Sequence, residues 1–314
     1  MLQTINYVSA LIQFSLCVFL VIWFFMEILG DQKLDGEGEE GMPLTFPIGE
    51  YGGQLPTRAP LFQMPVSVLV MLLAIFTMVT GIAHLTYARA SVEYQKSVDE
   101  GNNWMRWVEY TITASIMLFI IAVSCGTSSL DSLILITAAS MCCMMCGYIS
   151  ERTAVSQVRV SMVATMVGWL LVVAAFAVIL RRFGSIVSQS RKAGSEGPPT
   201  YVWLIIVFMT LLYSSFGLIH LVHMRRQWSG RGQVPVEFHR KIEGSYTLAS
   251  MVSKTLLVVL LASGLFARNS AEAEEEAEAE AEAEAEADEA GEATDEAEPE
   301  AERRQRLKEK LKRN

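Results

Sequence analysis

Long runs of apolar residues recur seven times along the chain. Each run has about the 20 residues that a helix needs to cross a hydrocarbon core roughly 30 Å thick. Because backbone groups in lipid must hydrogen-bond within their own segment, each run is expected to be helical. The pattern predicts an all-α membrane protein, a bundle of seven transmembrane helices. The predicted spans are Ile5–Leu29, Phe62–Ala88, Trp104–Cys125, Leu130–Ser150, Val158–Leu180, Pro199–Met224 and Ser245–Ala267.

Two of the linkers between these spans are long. The first, Gly30–Leu61, is acidic and rich in Gly and Pro, and its stretch Pro43–Tyr51 (PLTFPIGEY) is a candidate for a small β-hairpin or a cap. The linker between the sixth and seventh spans, Arg225–Gly244, is basic. The seven spans and their linkers make one membrane domain over residues 1–267.

Residues 268–314 form a tail of different composition. An Ala/Glu repeat runs through residues 271–302, and a basic stretch, Arg303–Arg313, ends it. Like charges two and four residues apart repel one another, and the repeat has no apolar stripe that could pack. A low-complexity, disordered tail with a basic end is therefore predicted.

Composition agrees with the membrane reading. Hydrophobic residues make up 52% of the chain and its mean hydropathy is +0.33, which excludes a purely soluble protein. The formal charge of −9 comes from the tail, since residues 272–302 hold 17 of the 34 acids and the first 270 residues carry a net charge of +2. Neither the charge nor any motif points to nucleic acid or to enzyme activity.

Cys143 and Cys146 have the CxxC spacing of some metal and redox sites. They lie inside an apolar run with no second pair of ligands, so small packing residues are the favoured interpretation and no metal site is predicted.

The distribution of Lys and Arg indicates an orientation. Ten of these residues lie in the short loops and span ends on the side of the N-terminus, against seven on the opposite side, leaving out the distal tail. The excess places the N-terminus in the cytoplasm, because positive loops stay inside. With seven spans, the C-terminal tail is then extracellular.

Lys254 and Glu109 are the most informative polar residues. Lys254 lies ten residues into the seventh span, where a lysine costs roughly 2.5–3.5 kcal/mol to insert. Its amine is either one half of a structural ion pair or a reactive group that condenses with an aldehyde to form a Schiff base. Glu109, six residues into the third span, is the matching anion, with pairing to Arg106 or Arg152 as the alternative. Apart from Asp131 and Glu151 at span ends, no other acid falls in the third to seventh predicted spans.

Several hydroxyl and imidazole groups accompany this pair. Ser250 is one helical turn before Lys254, where it either hydrogen-bonds the amine or allows close helix packing. His84 ends the second span at a depth similar to that of Glu109, and it is either a proton carrier or an interfacial residue. His220 and His223 end the sixth span on the same side and are expected to be interfacial residues beside Arg225.

The segments RWVEY (Arg106–Tyr110) and SYTLASMVSK (Ser245–Lys254) resemble those of heliorhodopsins, microbial-type retinal proteins with inverted topology. The resemblance covers roughly residues 1–267. It implies that Lys254 binds all-trans retinal as a protonated Schiff base with Glu109 as the single counterion. It also implies that Ser250 stands where ion pumps carry a second carboxylate, and that His84 belongs to a cytoplasmic polar pocket. The family's second pocket histidine, in the first span, has no counterpart, since His84 is the first histidine of the chain.

The resemblance further implies a β-structure in the first linker, a cytoplasmic N-terminus and a homodimer in the lipid bilayer. A retinal slot must be apolar and walled by aromatic residues. The candidates to line it come from the third to sixth spans and are Tyr110, Thr113, Met144, Gly147, Trp169, Tyr213 and Phe216.

Three functions are weighed on these residues. The first is a light sensor that acts on an unknown signalling partner without pumping ions, because no relay of carboxylates crosses the membrane. The second is a light-gated passive proton conductor, lined by Glu109, His84, Glu151 and the histidines of the sixth span. The third is a transporter or receptor without a chromophore, in which Lys254 and Glu109 form a structural pair.

Overall fold

A computed structural model describes residues 2–31, 42–48, 57–64, 66–89, 91–194, 197–230, 234–264, 266 and 300–313. Within these residues, seven helices are long and apolar enough to cross a membrane. The predicted seven-helix bundle is therefore confirmed. In chain order these helices are α1 (Leu2–Asp31), α2 (Val66–Arg89), α4 (Trp104–Ser124), α5 (Leu130–Thr153), α6 (Val158–Ala193), α7 (Thr200–Gly230) and α8 (Val236–Gly264).

Two shorter features complete the membrane unit, Met1–Leu261. A short helix, α3 (Ser91–Asp99), follows α2. The first linker contains an antiparallel pair of strands, β1 (Met42–Ile48) and β2 (Thr57–Met64), with an irregularity between Leu44 and Thr45. The first strand covers most of the Pro43–Tyr51 stretch, whereas the second lies entirely after it and ends three residues past the predicted linker.

Several predicted span ends are wrong. Phe62–Met64 belongs to β2, so α2 begins at Val66 and not at Phe62. The basic linker Arg225–Gly244 is mostly helical, since α7 continues to Gly230 and α8 already begins at Val236. A hydropathy window detects only the length that matches a bilayer, whereas these helices continue beyond it on polar residues that pack against neighbouring helices.

The polar residues of interest are on the most buried helices. In its most apolar window α4 is 67% buried, and α2 and α8 are each 50% buried, whereas the other four membrane helices range from 22% to 33%. Glu109 on α4 is itself 4% exposed, so its carboxylate faces other helices. The three buried helices carry His84, Glu109 and Lys254, respectively on α2, α4 and α8.

The second compact unit is Ala262–Asn314. Its described part contains a helix, α9 (Glu300–Arg313), at the basic end of the tail. Acids near the start of the segment and Lys and Arg near its end favour a helix there through the helix dipole. The Ala/Glu repeat up to residue 299, for which disorder is predicted, lies outside the described residues.

Candidate functional site

A buried ion pair joins the lysine and the carboxylate that the sequence singles out. The Lys254 amine donates a hydrogen bond to Glu109 Oε1 at 2.5 Å and another to Thr80 Oγ1 at 2.9 Å. The side chains of Lys254 and Glu109 are 3% and 2% exposed, so the two charges are withdrawn from solvent and neutralise each other. The alternative partner of Glu109, Arg106, binds other carboxylates instead.

The second oxygen of Glu109 is held from α2. The hydroxyl of Tyr87 donates to Glu109 Oε2 at 3.2 Å, and the ring of His84 lies edge-on against the Tyr87 ring with centroids 5.6 Å apart. His84 therefore neighbours the pair through Tyr87. Its Nδ1 bonds Asn6 Oδ1 at 2.8 Å, while its buried Nε2 has no hydrogen-bond partner in the structure. His84 is 2% exposed, so its ring is enclosed by protein.

Ser250 is close to Lys254 but does not bind its amine. It is fully buried on the same face of α8 as Lys254, but the amine donates to Thr80 and Glu109 and not to Ser250. Thr80, on α2, was not among the sequence candidates. Nothing in its own helix distinguishes it from the other threonines there, because its role depends on how α2 faces α8.

Lys254 lies at the wall of an apolar cavity between α4, α5, α6, α7 and α8. Nine of the eleven predicted retinal-binding residues line this cavity, while Glu109 and His84 do not. The nine are Lys254, Ser250, Tyr110, Thr113, Met144, Gly147, Trp169, Tyr213 and Phe216. Further lining residues that the sequence reasoning missed include Trp107, Met117 and Tyr246.

Two tryptophans pack closely against glycines in this cavity wall. A Cβ on Gly147 would come within 2.2 Å of the Trp107 ring, and a Cβ on Gly217 would come within 2.5 Å of the Trp169 ring. The glycines therefore leave the room that the indoles occupy. A slender, apolar molecule with an aldehyde end suits this set of residues, because aromatic faces line the cavity and one amine lies at its wall.

Replacing Gly147 with alanine is expected to lower stability by about 1–3 kcal/mol, the usual result of overpacking. The Trp107 ring cannot easily yield, because its Nε1 donates to Glu151 Oε2 at 2.8 Å. Thermal unfolding of the purified full chain measures the effect. Gly184→Ala is the matched control, since nothing lies within 4 Å of a Cβ at that helical glycine. Equal melting temperatures for the two variants would contradict the role assigned to Gly147.

A second buried ion cluster, which the sequence reasoning missed, lies nearer the N-terminal side. The guanidinium of Arg106 binds both Glu151 and Glu243, and it is stacked 4.1 Å from the Tyr246 ring centroid. Asn103 donates to Glu243 Oε1 at 2.8 Å. Glu243 is a further acid of the membrane helices, because α8 begins at Val236 and not at Ser245.

The histidines of the sixth span take part in this cluster. His223 Nδ1 is 3.3 Å from Glu151 Oε1, and His223 Nε2 is 3.1 Å from His239 Nδ1. His220 Nδ1 is 4.0 Å from the same Glu151 oxygen. All three histidines are buried in the protein, and His220 and His223 approach Glu151 from α7. The two residues point inward because α7 packs its polar edge on α5 and α8.

One signal in the sequence identifies Glu243. Glu243, Tyr246, Ser250 and Lys254 are spaced by three, four and four residues, the period of one helix face. Extending this face backwards from Lys254 would have placed Glu243 inside the bundle. The hydropathy window excluded it, because the residues around Glu243 are polar and charged.

A chain of side-chain contacts connects the surroundings of His84 to this cluster. Asn6, which binds His84, donates through Nδ2 to the Tyr94 hydroxyl at 3.3 Å, and Tyr94 donates to Glu243 Oε1 at 3.4 Å. Burial and the nearby Glu243 raise the pKa of the Tyr94 phenol above its ordinary value. Tyr94 is therefore a fixed hydroxyl donor that links the two polar groups.

Cys142, Cys143 and Cys146 are free thiols, and no group of three or more metal-ligating side chains is found among the described residues. Cys143 lines the cavity described above.

Comparison with known proteins gives one family and one fold. The family model described as Heliorhodopsin matches residues 42–266, more than half of the chain. The crystal structure of the transmembrane domain of a Salpingoeca rosetta rhodopsin phosphodiesterase is similar, with a TM-score of 0.54 and 13% identity over 83% of each chain.

A second crystal structure, of the transmembrane domain and linker region of that protein, has a TM-score of 0.58 and 13% identity over 88% of this chain and 76% of that one. At such identity these structures show the fold alone. Among curated protein sequences, none matches this chain.

Proposed function

Because the chain belongs to the heliorhodopsin family of light-sensing, multi-pass membrane rhodopsins, we propose that it binds all-trans retinal at Lys254 as a protonated Schiff base. Glu109 is its counterion in this proposal. The observation that carries the proposal is a buried amine, the only one among the described residues, which is paired with a carboxylate at the wall of an aromatic cavity. Retinal supplies absorption of visible light and a double bond that isomerises.

Other side chains of the site neutralise charge, exclude water and accept a proton. Glu109 neutralises the positive nitrogen, and Tyr87 fixes the carboxylate by donating to its second oxygen. Trp107, Tyr110 and Phe216 exclude water from the cavity. His84 Nε2, buried and without a hydrogen-bond partner, is an acceptor available for a proton that leaves the site.

The distribution of buried charge supports a sensor that pumps no ions. Among the residues that the structure describes, the buried charged side chains other than histidine are Arg106, Glu109, Glu151, Glu243 and Lys254. All of these lie at the level of Lys254 or nearer the N-terminal side. Beyond Lys254, fully buried Leu118, Ile121 and Leu257 close the bundle. A pump needs ionisable groups on both sides of its site.

A light-gated proton conductor is the second candidate. The contacts from His84 through Asn6 and Tyr94 to Glu243 supply half of a proton path. The apolar half beyond Lys254 must then hydrate in the light. For the sensor we further propose a cytoplasmic N-terminus, a homodimer and a signalling partner. The proposal includes no enzyme activity. A structural Lys254–Glu109 pair without a chromophore is the third candidate.

The proposal is tested by adding all-trans retinal to membranes that contain the full chain, followed by photocurrent recording in voltage-clamped cells. We expect a visible absorption band and no photocurrent. Light-driven currents that reverse with the imposed proton gradient would favour the conductor. A folded protein without a visible band would overturn retinal binding and leave the structural pair.

Replacing Glu109 with glutamine is expected to move the visible band into the near ultraviolet at neutral pH. The protonated Schiff base then loses its only neighbouring carboxylate, so its charged form is disfavoured. Acidification should restore the visible band, because added protons repopulate the charged form. Absorption is measured from pH 4 to 9 in chloride-free buffer, since a halide can replace a missing counterion. An unchanged band at neutral pH would mean that another group is the counterion.

A further inference from the structure

A surface groove on the N-terminal side of the bundle lies between the start of α1, the end of α2, the short helix α3 and the start of α8. Its volume is about 610 Å³, within the usual range of ligand sites. The lining is amphipathic: Leu2, Ile5 and Leu248 form apolar walls, and Gln3 and Ser245 add polar groups. Leu2, Gln3 and Ile5 belong to the first turns of α1, and Ser245 and Leu248 to the N-terminal half of α8.

The charges at the rim of the groove favour an anion. Arg240 and Asp99 neutralise each other through two hydrogen bonds of 2.8 Å. Lys241 lies on the same rim, is exposed, and has no carboxylate within ion-pair distance among the described residues. The groove therefore carries one uncompensated positive charge above apolar walls.

We propose that this groove binds an anionic phospholipid of the leaflet on the N-terminal side. The phosphate contacts Lys241, and the upper part of an acyl chain lies against Leu2, Ile5 and Leu248. In the proposed orientation this is the cytoplasmic leaflet, where anionic lipids are concentrated. The amphipathic lining matches a molecule with a charged head and an apolar chain better than it matches a free anion.

The floor of the groove connects this lipid to the buried site. Tyr87 and Tyr94 form the floor as stacked rings with centroids 5.0 Å apart, and both line the groove. The hydroxyl of Tyr87 donates to Glu109, and that of Tyr94 donates to Glu243. The two tyrosine rings thus separate a bound lipid from Glu109, the counterion in the proposed function. A lipid that displaces Tyr87 therefore also displaces the Glu109 carboxylate.

Lipid binding is tested on the delipidated full chain in detergent by native mass spectrometry. The probes are dioctanoyl phosphatidylglycerol and dioctanoyl phosphatidylcholine, which share their chains and differ in head charge. We expect phosphatidylglycerol to bind about five-fold more tightly, the worth of one lysine near an anionic headgroup. Lys241→Gln should remove this preference, and Leu248→Trp should weaken both lipids by filling the groove.

Lys96→Gln is the matched control, because Lys96 is an exposed lysine of α3 that does not line the groove. Equal loss of preference in Lys96→Gln would overturn the proposal in favour of general surface charge. Displacement of the lipid by glycerol phosphate at equal concentration would also overturn it, since the head alone would then suffice.

The connection to Glu109 rests on the proposed function and has its own readout. In the retinal-loaded protein, phosphatidylglycerol should shift the visible band by a few nanometres, and Tyr87→Phe should abolish the shift while keeping the ring that floors the groove. Bound lipid without a shift in the wild type would overturn the connection. Absence of any visible band would overturn the proposed function and leave the lipid measurement intact.

Discussion

Replacing Lys254 with alanine is expected to abolish the visible band of the protein supplied with all-trans retinal. The described part of the chain has no other buried lysine, and only an amine inside the cavity can form the covalent link to an aldehyde. The substitution also leaves Glu109 buried without its partner, which destabilises the bundle. The double variant Lys254→Ala/Glu109→Gln therefore tests the chemistry in a protein that keeps its fold.

Absorption spectra of the wild type, both variants and Lys192→Ala, recorded after retinal addition, measure this effect. Lys192 is an exposed lysine near the end of α6, so its removal should leave the band intact. A visible band that persists in folded Lys254→Ala protein would show that retinal binds elsewhere or without a covalent link.

Replacing Arg106 with glutamine is expected to cost about 3–5 kcal/mol of stability, the usual effect of removing one partner from a buried ion cluster. Arg106 is 2% exposed and is the only guanidinium that binds Glu151 and Glu243 among the described residues. Without it, two buried carboxylates face each other across a desolvated site. Reversible unfolding of the purified full chain in mixed micelles measures the loss.

Arg240→Gln is the matched control for this prediction. Arg240 is exposed and pairs with Asp99, so its removal should cost far less stability than that of Arg106. Adding Glu151→Gln and Glu243→Gln to Arg106→Gln should recover part of the stability, because the unpaired charges are then gone. Equal losses for Arg106→Gln and Arg240→Gln would mean that the buried cluster does not hold the helices together.

The extent of the sequence prediction differs between the fold and the site. Seven apolar runs were enough for the bundle, because a bilayer demands helices of a nearly fixed length. The ends of those helices were not predictable in this way, as α7 and α8 show: their polar ends pack on neighbouring helices and give no hydropathy signal. For this reason the hydropathy pattern predicts a linker between Val236 and Gly244, where the structure has a helical segment that includes Glu243.

The second limit of prediction from the sequence was the direction in which each side chain points from its helix. The pairing of Lys254 with Glu109 was predictable because these are the two charges well inside the predicted spans. Opposite charges attract strongly in lipid. The sequence could not predict that Thr80 accepts a hydrogen bond from Lys254, or that His220 and His223 point inward. Successive side chains on a helix are turned by about 100°, and only packing selects which of them face inward.

The sequence by itself determined the membrane class of the protein, the number of spans and the two residues of the buried pair, because hydropathy and an isolated charge in lipid are local properties with large free energies. Tertiary structure alone decided that Arg106 binds Glu151 and Glu243 instead of Glu109. It also decided that Tyr87 connects the surface groove to Glu109, and that Trp107 and Trp169 lie against glycines. These contacts join residues distant in the chain, and their geometry follows from how the helices pack.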